Sequence, residues 1–195
     1  MNKQTKDHIF VLSSPSGGGK TTLIQRAISC FSKLTHSISA TSRPPRKNEI
    51  DGVDYFFLSE EIFEKKIKKK EFAEWAEVYG NFYGTPIENI KKEFSKGNHL
   101  IMDLDVQGAM QLKNFFPEAT LIFIMPPSID ELKKRLTNRC TESEEEINKR
   151  LETAKIEIGQ KKNYDYIVTN ENIEEATKEL IEIIKEKLLM NREKT

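Results

Sequence analysis

Four apolar residues, Ile9-Phe10-Val11-Leu12, run into Ser13-Ser14-Pro15-Ser16-Gly17-Gly18-Gly19-Lys20-Thr21-Thr22, and an amphipathic pattern from Leu23 to Phe31 runs out of it. A buried strand, a glycine-rich turn, a lysine with hydroxyls and then a helix make a phosphate-binding loop. Backbone N–H groups from Gly17 to Lys20 converge at a helix N-terminus, where the dipole adds to their pull on phosphate oxygens. Lys20 is placed for the β- and γ-phosphates, and Thr21 for Mg²⁺. Ser14, Pro15, Ser16, Gly17, Gly18, Gly19, Lys20, Thr21 and Thr22 are therefore the candidate triphosphate site. The pattern G-x-x-x-x-G-K-[ST] is met from Gly19 onward, but Ser14 stands at its first glycine, which puts that residue's backbone conformation in question.

A loop of this kind must hold its phosphate locally, because the chain as a whole has no charge to offer. Lys+Arg and Asp+Glu are both 31, so the formal net charge is zero and a sequence-independent grip on nucleic acid is not expected. The 195 residues suffice for one good core with an insertion or two. Cys30 and Cys140 lie outside any zinc or C-x-x-C spacing and read as free thiols of a reducing compartment. No apolar run approaches the roughly 18 residues that span a bilayer, and Met1 to His8 is polar, so a cytoplasmic protein without a membrane partner is expected.

Along the chain, strands alternate with helices, which predicts an α/β fold with a parallel sheet. Leu34 to Ala40 reads as one strand with Ser39 near its end. Thr41-Ser42-Arg43-Pro44-Pro45-Arg46 is kept extended by its prolines. Arg43 and Arg46 are either solvated or, behind a phosphate loop, a second anion site. Val53 to Leu58 reads as a strand, and Ser59 as the cap of a helix to Lys70 with Ile62, Phe63 and Ile67 inward. Lys65 to Lys70 reads as a solvated face.

Phe72 to Tyr79 is a strand turned by Gly80-Asn81 into a return at Phe82-Tyr83-Gly84. Period two puts Glu74 on one face with Phe72 and Ala76; it is either a half-exposed carboxylate or an acceptor for a base edge. Thr85-Pro86 reads as a helix cap with proline at the first helical position, and Gly97 as that helix's end. His99 to Asp105 reads as a buried strand ending in two carboxylates on one face, where ligands bind in open α/β sheets. Asp103 is the candidate to hold Mg²⁺ through water.

Gln107 to Phe115 is a predicted helix and Thr120 to Met125 a buried parallel strand. After Pro126-Pro127, Ser128 caps a helix to about Arg139, and a second helix starts near Ser143. Arg135, Arg139 and Arg150 across this pair either bond to nearby acids or belong to a lid that closes on a triphosphate. Tyr166-Ile167-Val168 is the last strand, followed by Asn170 and a helix from Ile173 to about Met190.

Seven stretches in this order and spacing make the chain resemble the guanylate kinases over nearly its whole length: Ser13 to Lys20; Thr41 to Arg46; Gly52-Val53-Asp54-Tyr55; Phe72-Ala73-Glu74-Trp75-Ala76; Tyr83-Gly84-Thr85; Asp103-Leu104-Asp105-Val106-Gln107-Gly108; and Arg135-Leu136-Thr137-Asn138-Arg139. The resemblance implies a P-loop core with a parallel sheet flanked by helices (residues 1–36, 87–126 and 155–195), a strand-rich GMP-binding insertion (37–86) and a small helical lid (127–154).

It also implies transfer of the γ-phosphoryl of ATP·Mg²⁺ to GMP. By the family pattern Arg43, Arg46, Tyr55 and Tyr83 hold the GMP phosphate, and Ser39, Glu74, Thr85 and Asp105 read guanine. Lys20, Arg43, Arg135, Arg139 and Arg150 share the charge of the transferring group, and Asn170 touches adenine. No obligatory protein partner is expected. Cys140 departs from the glycine usual in that family after the lid arginine, which bears on how that turn bends. A non-catalytic guanylate-kinase-like module, or a kinase for another monophosphate, are the rival readings.

Overall fold

A computed structural model describes residues 7–78, 80–137 and 144–193. The elements are β1 (Ile9–Ser13), α1 (Lys20–Cys30), β2 (Leu34–His36), β3 (Ala40–Thr41), β4 (Phe56–Phe57), α2 (Glu60–Lys68), β5 (Phe72–Val78), β6 (Asn81–Pro86), α3 (Ile87–Ser95), β7 (His99–Asp103), α4 (Val106–Phe115), β8 (Thr120–Met125), α5 (Ile129–Thr137), α6 (Glu144–Gly159), a 3-10 turn (Gln160–Asn163), β9 (Tyr166–Thr169) and α7 (Ile173–Glu193).

Five strands form a parallel sheet in the order β2-β7-β1-β8-β9. Because both faces are covered, alternate residues of β1 enter two different cores. Phe10 and Leu12 pack with Leu23, Ile101, Leu180 and Ile184 on the α1 and α7 side. Ile9 and Val11 pack with Ile90, Met102, Ala109 and Leu112 on the α3 and α4 side. The central position of β1 brings the loop that follows it to the carboxyl ends of the sheet, beside the end of β7.

A second sheet, β4-β3-β6-β5, carries its own small core in which Phe63 of α2 stacks on Phe72 and Phe82, with ring centroids 4.3 and 5.5 Å apart. Between α5 and α6 a separate cluster buries Leu132, Leu136, Ile147, Leu151 and Ala154. Among the described residues no helix is long and apolar enough to cross a membrane.

Several local expectations are corrected. Leu34 to Ala40 is two strands in different sheets, since Ser37 makes the last bond to the large sheet, its N–H on Ile101 O at 3.0 Å, before the chain crosses to pair Ala40 with Phe56 and Gly84. The strand expected over Val53 to Leu58 forms only at Phe56–Phe57; Val53 and Asp54 are turn, and Tyr55 makes an isolated bridge to Asp51. Asp54 accepts from Ile50 N–H at 2.8 Å, which holds the turn, and Asp51 accepts from the outward Phe57 N–H at 2.9 Å, so aspartate side chains serve backbone donors that no strand reaches.

Ile62 points outward, 46% exposed, and α2 ends at Lys68. Thr85 lies in β6 and does not cap α3; Pro86 occupies the N-cap position without a side-chain bond. Asp105 lies past β7 and is the N-cap of α4. A register shift between Phe72 and Glu74 breaks the period of two, so Phe72 packs on α2 while Glu74 shares a cavity wall with Ala76 and Val78. Tyr79, Arg139, Cys140 and the expected start of the second lid helix at Ser143 lie outside the described residues.

Candidate active site

Gly17 and Gly19 take left-handed backbone angles, φ 89° and 91°, which let the loop turn its N–H groups inward and start α1 at Lys20. Gly18 is required for a different reason. A Cβ there would come 2.6 Å from Ser14 Oγ. Ser14 itself is not among the positive-φ residues, so the position needs no glycine; its hydroxyl is tucked in, donating to Pro15 O at 2.9 Å. Lys20 Nζ donates to Ser14 O at 3.1 Å and lies 3.2 Å from Asp103 Oδ1. Thr21 and Thr22 are exposed in the first turn of α1.

Facing this loop is a cavity of about 200 Å³ between the two sheets, with Ser39, Tyr55, Glu74, Tyr83, Asp103 and Asp105 among its lining residues. Glu74 is 5% exposed, and Thr85 donates its hydroxyl proton to Oε1 at 2.6 Å. Burial pushes the Glu74 carboxyl up to about 7; the Thr85 bond works against that rise and the Asp105 charge adds to it. Asp105 Oδ1 accepts from Gly108 N–H at 2.7 Å, which fixes it at the entrance of α4.

Arg43 lies beside Tyr55, one of the lining residues. It donates to Glu49 Oε1 and to Pro44 O, both at 2.8 Å, and its guanidinium lies 5.7 Å from the Tyr55 ring centroid. Tyr55 and Tyr83 meet edge to face at 6.1 Å. Arg46 is exposed, and its backbone N–H bonds Glu49 Oε2 at 2.7 Å.

From α6, Arg150 donates to Ser16 Oγ at 3.1 Å. Arg135 bonds Glu131 Oε1 at 3.2 Å and Asn170 O at 3.0 Å. Leu132 and Leu136 lie against Gly17, where a Cβ would sit 3.2 to 3.3 Å from them. Asn170 is buried, and its amide donates to Gly18 O at 2.8 Å, bracing the phosphate loop from behind.

Three further residues shape the site without any motif in the sequence to mark them. Glu49 aligns Arg43 and the Arg46 backbone, and both hold its carboxyl below the usual carboxylate range. Its place three residues after Arg46 was the available signal. Gly108 permits Glu74 to approach α4, since a Cβ there would be 2.8 Å from Glu74 Oε2. Glu157, half-buried on α6, has its carboxyl raised by burial, with the charge of Lys20 lowering it and that of Asp105 raising it. Its spacing of seven from Arg150 puts both on one helical face.

The oxygen donors fit a hard divalent cation. A threonine hydroxyl at the helix start and one carboxylate at the end of the neighbouring strand suit Mg²⁺ shared with nucleotide phosphates. Among the described residues no cluster of three or more His, Cys, Asp or Glu could hold a metal by itself.

The guanylate kinase family model matches residues 6–187. A guanylate kinase of Halalkalibacterium halodurans is 45% identical over 182 residues, covering 93% of this chain and 89% of that protein. One from Geobacter sulfurreducens is 47% identical over 176 residues, covering 90% and 87%. The crystal structure of guanylate kinase from Anaplasma phagocytophilum superposes with a TM-score of 0.74 at 34% identity, over 95% of this chain and 88% of that one.

Proposed function

The chain belongs to the guanylate kinase family, and from that premise we propose how its own residues carry out ATP-dependent phosphorylation of GMP to GDP. The observation that carries the reading is Glu74, a buried carboxyl held by Thr85 in a cavity whose far wall is Asp103, the partner of the loop lysine. Guanine offers N1–H and its 2-amino group as adjacent donors, and one carboxylate accepts both. Adenine lacks that pair, so it would leave a buried acceptor unsatisfied. Ser39 and Asp105 complete the base-reading edge of the cavity.

Arg43, Arg46, Tyr55 and Tyr83 take the acceptor phosphate, with Glu49 holding Arg43 in place before it arrives. Residues Ser14 to Thr22 take the triphosphate of ATP, with Asn170 behind them. Thr21, and Asp103 through water, would hold Mg²⁺, which supplies charge neutralisation on the phosphates when bound. An oxygen of the GMP phosphate attacks the γ-phosphorus, the bond from that phosphorus to the bridging oxygen breaks, and ADP leaves. The attacking phosphate is already ionised near neutral pH, so no general base is needed.

What the residues supply is alignment and charge. Lys20, Arg43, Arg135, Arg139 and Arg150 share the charge on the transferring group. A non-catalytic protein-binding module has no use for a loop lysine paired with Asp103 at the end of β7, and this pairing favours catalysis. Phosphorus NMR of ATP, Mg²⁺ and GMP with the enzyme tests it: GDP and ADP appear in equal amounts, and their absence overturns the reading.

A further inference from the structure

We propose that Gln111 is a positioning residue for base recognition, acting through the main chain of Trp75 on the neighbouring Glu74. The inference rests on the reading of Glu74 as the group that selects guanine. Strand β5 is the outer strand of its sheet, so one row of its backbone groups has no strand partner. Gln111 of α4 supplies that partner at Trp75. Its Oε1 accepts from Trp75 N–H at 3.1 Å, and its Nε2 donates to Trp75 O at 2.9 Å. One amide side chain thus imitates a paired strand and ties the insertion's outer strand to a helix of the core.

The consequence falls on Glu74. Its Oε2 rests over Gly108, three residues before Gln111 on the same helix and therefore on the same face. The backbone on one side is fixed to β6, where Glu74 pairs with Thr85 and Trp75 with Gly84. On the other it is fixed by Gln111. The register shift just before Glu74 leaves this segment with less ladder to define it, and the amide clamp restores the definition. A carboxyl that must meet two donors at once loses most from a small displacement.

The test uses Gln111→Met, which keeps the length of the side chain and removes both hydrogen bonds, alone and combined with Glu74→Gln. Gln111→Met is expected to raise KM for GMP about tenfold, the scale of two lost hydrogen bonds, with KM for ATP changed less than about twofold. The Trp75 amide is expected to exchange its hydrogen faster. In the Glu74→Gln background, Gln111→Met should leave KM for GMP where Glu74→Gln put it, because both changes act through one group. An equal further rise in that background overturns the inference, as does unchanged exchange at Trp75. If Glu74→Gln alone leaves KM for GMP untouched, the guanine reading itself fails and the inference with it. Should Gln111→Met not fold, Gln111→Glu, which keeps the acceptor and replaces the donor, is read in the same way.

Discussion

Lys20 Nζ lies 3.2 Å from Asp103 Oδ1, so the cation of the phosphate loop and the carboxylate at the end of β7 are already paired across the floor of the cleft. The pair is part-buried, and Lys20 also donates to Ser14 O. Lys20→Ala should lower kcat by about 10² to 10³, the scale of removing one preorganised charge from a transferring phosphoryl group. Circular dichroism should show an intact fold. Full activity in this variant would exclude the role given to the loop.

Asp103→Asn tests the metal role proposed for that carboxylate. The pair with Lys20 is weakened and the acidic donor for Mg²⁺ is lost, so half-saturation by Mg²⁺ should move up by about tenfold or more. A Mg²⁺ titration at saturating ATP and GMP reads it. An unchanged curve places the metal elsewhere.

Glu74 ties stability and recognition to pH with opposite signs. Folded, its carboxyl holds a proton up to about pH 7, whereas the unfolded chain releases it near the ordinary 4.5. The native state therefore binds the extra proton between these values, and its stability falls as pH rises through that window. In the proposed reading guanine binds the charged form, so KM for GMP should rise as pH falls below 7. Glu74→Gln should remove both dependences, stabilise the unliganded protein at pH 8 by about 2 kcal/mol and weaken GMP use far more than ATP use. Denaturant melts and initial rates between pH 5.5 and 8.5 check it.

Gly108→Ala puts a methyl 2.8 Å from where Glu74 Oε2 now lies. Alanine suits a helix interior, so the helix gains while the carboxyl is pushed off α4. A higher KM for GMP with an unchanged or higher melting temperature is expected, and unchanged KM would show that Glu74 does not need this contact.

The phosphate loop, the parallel sheet and the arginine-proline segment were legible because each depends on local pattern: a buried run, glycines with a lysine, prolines that forbid a helix. What was not legible depends on contacts between distant segments. Thr85 reads as a helix cap before a proline, yet its hydroxyl meets Glu74 because β5 and β6 pair the two residues directly across the ladder. Nothing local in the sequence places Asn170 at Gly18, and only the fold brings the two together. Ser14 looked like a defect in the loop motif. The conformation there asks nothing of glycine, and the steric demand passes to Gly18.

The central claim is that a buried acidic group in this cavity chooses the acceptor, and a nucleotide panel tests it most directly. ADP release from ATP·Mg²⁺ is followed in a coupled assay with GMP, AMP, CMP or UMP as acceptor. The account predicts kcat/KM for GMP above that for each of the others by at least about 10³. Comparable turnover of AMP, or none of GMP, would contradict it.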